Sequence, residues 1–212
     1  MGRMQRLLDI MRRLRAPDGC PWDREQTHAS LRPHLLEEAA EAVDAIASDD
    51  PRRMADELGD VLLQVAFHAV IAEEAGRFGY DDIESAIVDK LVRRHPHVFG
   101  DARVDDVDGV MVTWRAAKAR ERAAAGLPEP GPADTVPRGL PALRRAAELD
   151  KALGWGVDPS LGGRSLTESV AKGDPDAVGA ALLHVVQVAR RAGVDPELAL
   201  RDVLEARVAA EP

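Results

Sequence analysis

Between Leu35 and Gln64 the sequence reads LLEEAAEAVDAIASDDPRRMADELGDVLLQ. Two short acidic motifs stand out, Glu37-Glu38-Ala39-Ala40-Glu41 and Glu57-Leu58-Gly59-Asp60. Carboxylates held close together repel one another and raise one another's pKa. A hard divalent cation removes that cost. A donor set made only of oxygen suits Mg²⁺, with Mn²⁺ as a substitute, rather than zinc or copper. The competing reading is a solvated acidic face, which is how a single E-x-x-E on a helix is usually spent. Two pairs in matching phase favour the cation.

The phase follows from the elements that carry the motifs. Asp50-Pro51 divides the stretch. Asp caps a helix, and Pro fits the first turn because the N–H it lacks would be unpaired there. A short connection makes the two helices antiparallel neighbours. At about 100° per residue, Leu35, Ala39, Ala42, Val43 and Ile46 share an apolar stripe on the first helix. Met54, Leu58, Val61, Leu62 and Val65 share one on the second. With these stripes turned toward each other, Glu38, Glu41, Glu57 and Asp60 converge along one edge of the hairpin.

At 212 residues the chain can hold one or two small domains with a real core. The formal net charge of −9 argues against stable nucleic-acid binding, which needs a basic footprint. An acidic protein still takes a small phosphorylated substrate if cations bridge the charges. Cys20 is the single cysteine, so no intrachain disulfide forms, which fits a reducing cytoplasm. The start MGRMQRLLDIMRRLRAPDG lacks the apolar core of a signal peptide. No apolar run reaches the roughly 20 residues a membrane span needs. Aromatics are only 3% of the chain; Ala and Leu abound and β-branched alternation is absent. The expected fold is all-α, a helical bundle.

Further candidates lie on either side. A helix over Met4–Arg15 leads into Pro17-Asp18-Gly19-Cys20-Pro21-Trp22-Asp23, dense in turn residues. Trp22 there is either a lid on the core or a stacking surface for a base. Ser30 is the expected N-cap of the helix bearing Glu37, Glu38 and Glu41. A helix from Asp81 to His95 carries Lys90 and Arg94 at i, i+4, a cationic face suited to phosphate oxygens or simply to the helix dipole. His95 and His97 flank a Pro and read as turn residues. A helix over Val107–Ala125 sets Trp114 one turn before Lys118, either a base-and-phosphate site or a core Trp beside a solvated Lys. The run GLPEPGPADTVPRG, residues 126–139, reads as a linker. It separates a 1–125 catalytic region from a helical 140–212 region. In the latter, GAALLHVV from Gly179 overlays GDVLLQVA from Gly59, with Ala177 in place of Glu57 and Ala180 in place of Asp60. No E-x-x-E appears near Leu161–Ser169. The second half reads as a copy without the acidic motifs, suited to packing or regulation.

CPWDREQTH at Cys20–His28, LLEEAAEAVDAI, DELGDVLLQVAFHA, DKLVRRHPHVFGDA and the Trp114–Lys118 spacing together resemble the MazG nucleoside triphosphate pyrophosphohydrolases. The resemblance runs in continuous order from about Leu7 to Arg122 and is weaker beyond Leu140. It implies an all-α homodimer that hydrolyses nucleoside triphosphates to monophosphate and pyrophosphate with Mg²⁺. Its expected metal ligands are Glu38, Glu41, Glu57 and Asp60. Lys90 and Arg94 would hold the triphosphate, with Trp114 and Lys118 near the nucleotide. Glu37 or Glu38, whichever stays free of ligation, would take the proton of the attacking water. Such an activity serves house-cleaning or stress control of nucleotide pools. Rival readings are a silent nucleotide-binding module and a helical scaffold with a solvated acidic face. Base preference is not legible.

Overall fold

A computed structural model describes residues 3–157, 170–171 and 173–210. Among these the chain is all-α, with no strand. It divides into two compact units, Met1–Lys118 and Ala119–Pro212.

The first unit contains α1 (Arg3–Arg15), α2 (Pro21–Glu25), α3 (Arg32–Ala47), α4 (Pro51–Glu74), α5 (Tyr80–Arg94), α6 (Pro96–Phe99) and most of α7 (Val107–Ala124). The hairpin between α3 and α4 is made as its sequence directs. Asp49 takes a left-handed φ of 54°, which Asp tolerates better than most residues. Asp50 then accepts the backbone N–H groups of Arg52 and Arg53 at 2.9 and 3.5 Å. The core sits on the other side of α4. Leu8 and Met11 of α1 and Leu31 pack against Ala66, Phe67, Ala69 and Val70. Each large apolar side chain buried there contributes roughly 1.5–3 kcal/mol. Arg12 and Arg15 clamp the same helices together through Glu73 at 2.9 Å and Glu74 at 2.7 Å.

Two local expectations are corrected. Ser30 does not cap α3, which begins after Leu31. Its hydroxyl instead donates to Gln26 Oε1 at 2.8 Å and accepts from the Thr27 N–H at 2.9 Å, so it closes the turn before the helix. The stretch around Trp22 is not all loop: Pro21 starts the short α2, as Pro does at a first helical position.

A larger correction concerns the two apolar stripes. They are covered only in part: Ala42 is buried and Met54, Val61 and Val65 are half-buried, but the other bulky members are not. Leu35, Val43 and Ile46 of α3 are exposed, as are Leu58 and Leu62 of α4. The buried residues of α3 are Ala42 and Ala45. Small side chains let the helices approach closely, whereas the bulky stripe would hold them apart. Helix α5 packs only Tyr80 and Ile83, both half-buried, against the core, and Ile87, Val88, Leu91 and Val92 stand in the open.

In the second unit a 3₁₀ turn, Pro132–Thr135, interrupts the proline-rich segment and precedes the buried Val136. Helices α8 (Ala142–Leu153), α9 (Pro175–Arg191) and α10 (Pro196–Ala209) follow. Asp150 is fully buried and accepts from Gln187 Nε2 at 3.0 Å and Arg190 Nε at 2.5 Å. Arg144 bonds Asp195, tying α8 to the start of α10. The stretch Leu161–Ser169, expected to lack an acidic motif, lies outside the described residues.

One contact in the first unit is sensitive to pH. His28 and His68 stack with ring centroids 5.1 Å apart, and their Nδ1 atoms meet at 2.8 Å. One ring must donate and the other accept, so the pair cannot hold both protons and keep the bond. Burial first, and His28 second, lower the His68 pKa. A histidine with a depressed folded pKa binds protons more weakly folded than unfolded. Its stability contribution is therefore intact above the ordinary histidine range and is lost as pH falls through and below it. Thermal melts should show the wild type losing stability between pH 7.5 and 5, and His68→Phe losing less. Identical pH slopes would contradict this.

Candidate active site

The α3–α4 hairpin brings three predicted residues together. Carboxylate oxygens of Glu38, Glu41 and Glu57 all lie within 4.8 Å of one another. It is the one group of metal-ligating side chains of that kind among the described residues. Glu38 and Glu57 are half-buried and Glu41 is exposed. Asp60 is half-buried and lies outside that set, but near enough for its charge to act on both Glu38 and Glu57.

The electrostatics follow from the crowding. Loss of solvent raises the pKa of Glu38, and Asp60, Glu41 and Glu37 raise it further, partly opposed by His34. Glu57 is raised first by loss of solvent, its side chain being 19% exposed, then by the charge of Glu41 and a hydrogen bond with it. Arg53, 4.0 Å from Glu57, partly offsets this. The donor set is oxygen only and carries excess negative charge in a small space. Such a group could hold a hard divalent cation.

The reason these side chains meet is helical register. His34, Glu38 and Glu41 follow one another at i, i+4 and i+7 on α3. Glu57, Asp60 and Gln64 follow at i, i+3 and i+7 on α4. Each series forms a single stripe, and the contact between Glu41 and Glu57 sets one stripe against the other. The carboxylates thus lie on the facing surfaces rather than on the flanks of an apolar seam.

Glu37 stands outside the triple, though its charge acts on Glu38. Its side chain is exposed, and its Oε2 lies 3.2 Å from His34 Nδ1. A second group forms where α5 meets α7. The Arg94 guanidinium lies 5.2 Å from the centre of the Trp114 ring, and Lys118 Nζ lies 5.4 Å from it. Both distances are within cation–π range. Lys90 is exposed one turn before Arg94. Sequence reasoning missed His34 and Gln64. The signal was available: His34 lies one turn before Glu38 and Gln64 one turn beyond Asp60, in phase with the carboxylates.

The MazG nucleotide pyrophosphohydrolase domain matches residues 26–99, a span that contains the whole carboxylate group. A nucleoside triphosphate pyrophosphohydrolase of Escherichia coli (strain K12) is 49% identical over 152 residues, covering 71% of this chain and 57% of that protein. The nucleoside triphosphate pyrophosphohydrolase/pyrophosphatase MazG of Thermotoga maritima is 38% identical over 206 residues, 93% of this chain and 79% of that protein. A crystal structure of a mazG-related protein from Thermotoga maritima aligns with 54% of the chain at 23% identity and a TM-score of 0.47. The chain belongs to the MazG family. It spans little more than half the length of the Escherichia coli relative.

A raised carboxylate pKa means tighter proton binding in the folded state. The associated stability is present below the ordinary carboxylate range and is lost as pH rises through the folded pKa. Above that range a divalent cation should restore it. Saturating Mg²⁺ should raise the melting temperature by about 5–10 °C at pH 7.5 and far less at pH 4.5. Glu57→Gln should melt higher than the wild type without cation at pH 7.5 and lose the cation-dependent rise. An equal rise in both proteins would contradict the assignment.

Proposed function

We propose that this chain hydrolyses nucleoside triphosphates to nucleoside monophosphate and pyrophosphate, using Mg²⁺, or Mn²⁺ in its place, held by Glu38, Glu41, Glu57 and Asp60. The observation that carries the reading is the meeting of Glu38, Glu41 and Glu57 within 4.8 Å on facing helices. A bound cation would relieve the repulsion among these carboxylates. A cation held by these four carboxylates would supply positive charge against the phosphates and a more acidic water as the attacking group.

The chain's own residues do the rest. Glu37 is outside the carboxylate triple and paired with His34. It takes the proton from the attacking water, and the imidazole orients it. Arg94, Lys90 and Lys118 bind the triphosphate and steady the leaving pyrophosphate, with Trp114 holding the Arg94 and Lys118 cations in place. The acidic unit carries this chemistry alone. In the second unit Ala177 and Ala180 occupy the places of Glu57 and Asp60 and supply no ligand. The role is the clearance of unwanted nucleotides, a cytoplasmic duty.

The same reading explains the open stripes. Leu35, Ile46, Leu58, Leu62, Ile87 and Leu91 are exposed apolar side chains of the kind an interface gathers. A second copy of the chain covers them. In sedimentation, the wild type should run as a dimer and Leu62→Arg should shift toward monomer. A wild type that runs as a single chain at micromolar concentration would contradict this.

The activity is tested by product analysis across a panel of ribo- and deoxyribonucleoside triphosphates, with and without Mg²⁺. The expected products are monophosphate and pyrophosphate, only with the cation. Glu41→Gln should reduce turnover on the order of 10²–10³-fold. Diphosphate plus phosphate, or turnover retained in Glu41→Gln, would contradict the proposal.

A further inference from the structure

We propose that the exposed ring of Trp22 is the platform on which the nucleobase stacks. The inference rests on the triphosphate reading and extends it to the part of the substrate that the carboxylates do not touch.

The two facing stripes form a line with a direction. At one end Glu41 meets Glu57, and next along Glu38 lies beside Asp60. One turn further, the antiparallel register sets His34 against Gln64. Trp22 closes the line, its ring centre 5.9 Å from His34 and 6.3 Å from Phe67. One helical turn is about 5.4 Å, and one ring contact beyond it reaches Trp22.

Three features mark Trp22 as built for a ligand. First, 53% of it is exposed, although it belongs to a braced element. Gln26 Nε2 donates to the Trp22 carbonyl at 3.0 Å, and Ser30 Oγ donates to Gln26 Oε1 at 2.8 Å. Arg15 Nη1 donates to the carbonyls of Asp23 and Gln26 at 2.5 and 3.1 Å. A backbone braced before the ligand arrives loses less freedom on binding. Second, both its aromatic neighbours meet it at a steep angle, 73° for His34 and 78° for Phe67, so neither lies flat on it. The Trp114 ring, by contrast, already carries two cations. Third, Gln64 is only 4% exposed, and its Oε1 has no hydrogen-bond partner. Buried acceptors are rarely left so, and this one lies on the line between the carboxylates and Trp22.

The role predicts a division between probes. Stacking acts on the base and not on the phosphates, and it tolerates any base because each has a π face. The test is equilibrium binding, with Mg²⁺, of a non-hydrolysable nucleoside triphosphate analogue and of inorganic tripolyphosphate. The proteins compared are the wild type, Trp22→Ala and Trp22→Phe. Trp22→Ala should weaken nucleotide binding by about 10- to 100-fold and leave tripolyphosphate unchanged. Trp22→Phe should stay within a few-fold of the wild type, as a second ring can serve. Unchanged nucleotide binding in Trp22→Ala overturns the proposal, as does an equal loss for both probes. A change in sedimentation of Trp22→Ala also overturns it, by making the ring an interface residue. A wild type that binds neither probe would instead defeat the triphosphate reading itself, and this inference with it.

Discussion

The contact between Glu41 and Glu57 is the constraint on which the first unit depends. Two like charges on separate helices meet across the hairpin, and both Glu38 and Glu57 have their pKa values raised by burial and by neighbouring charge. Nothing local favours this. It persists because the core behind α4, built on Leu8, Met11, Leu31, Phe67 and Val70, holds the helix in place regardless. The capped turn at Asp50 then fixes where α4 begins relative to α3. Stability made in one region is spent on strain in another, which is how binding sites for charged ligands are commonly maintained.

Small side chains make the approach possible. Ala42 and Ala45 are buried on α3, so the seam beside the carboxylates is narrow. The larger apolar residues are pushed outward, where a single chain leaves them in water. The feature that brings the ligands together thus also leaves the surface that a partner copy would cover. Trp22, His34 and Gln64 continue the same seam, so cation, phosphate and base subsites would share one register.

Much of this was legible in the sequence because helical phase is a local property. Asp50-Pro51 marked the hairpin, and of the four carboxylates whose phase pointed to convergence, Glu38, Glu41 and Glu57 come together. The orientation of the helices about their own axes was not legible. Leu35, Val43, Ile46, Leu58 and Leu62 form better apolar stripes than Ala42 and Ala45, and hydrophobic pattern alone assigns them to the intramolecular seam. Pattern cannot distinguish apolar surface buried within a chain from surface left for another. Ser30 misled for a related reason: the signature of a helix cap and that of a closed turn use the same residue types. His34 and Gln64 were in phase with Glu38, Glu41, Glu57 and Asp60, but neither is a carboxylate, and only their place in the structure draws notice.

The most direct test of the account is whether the carboxylates bind a divalent cation as one site. Mn²⁺ reports on this by electron paramagnetic resonance, since its signal collapses when bound. Titration of the wild type should show saturable loss of free Mn²⁺ signal, reversed by excess Mg²⁺. Glu41→Gln combined with Glu57→Gln should leave the signal free over the same range. Mn²⁺ binding undiminished in the double variant, or none in the wild type even with a triphosphate analogue present, would contradict the central claim.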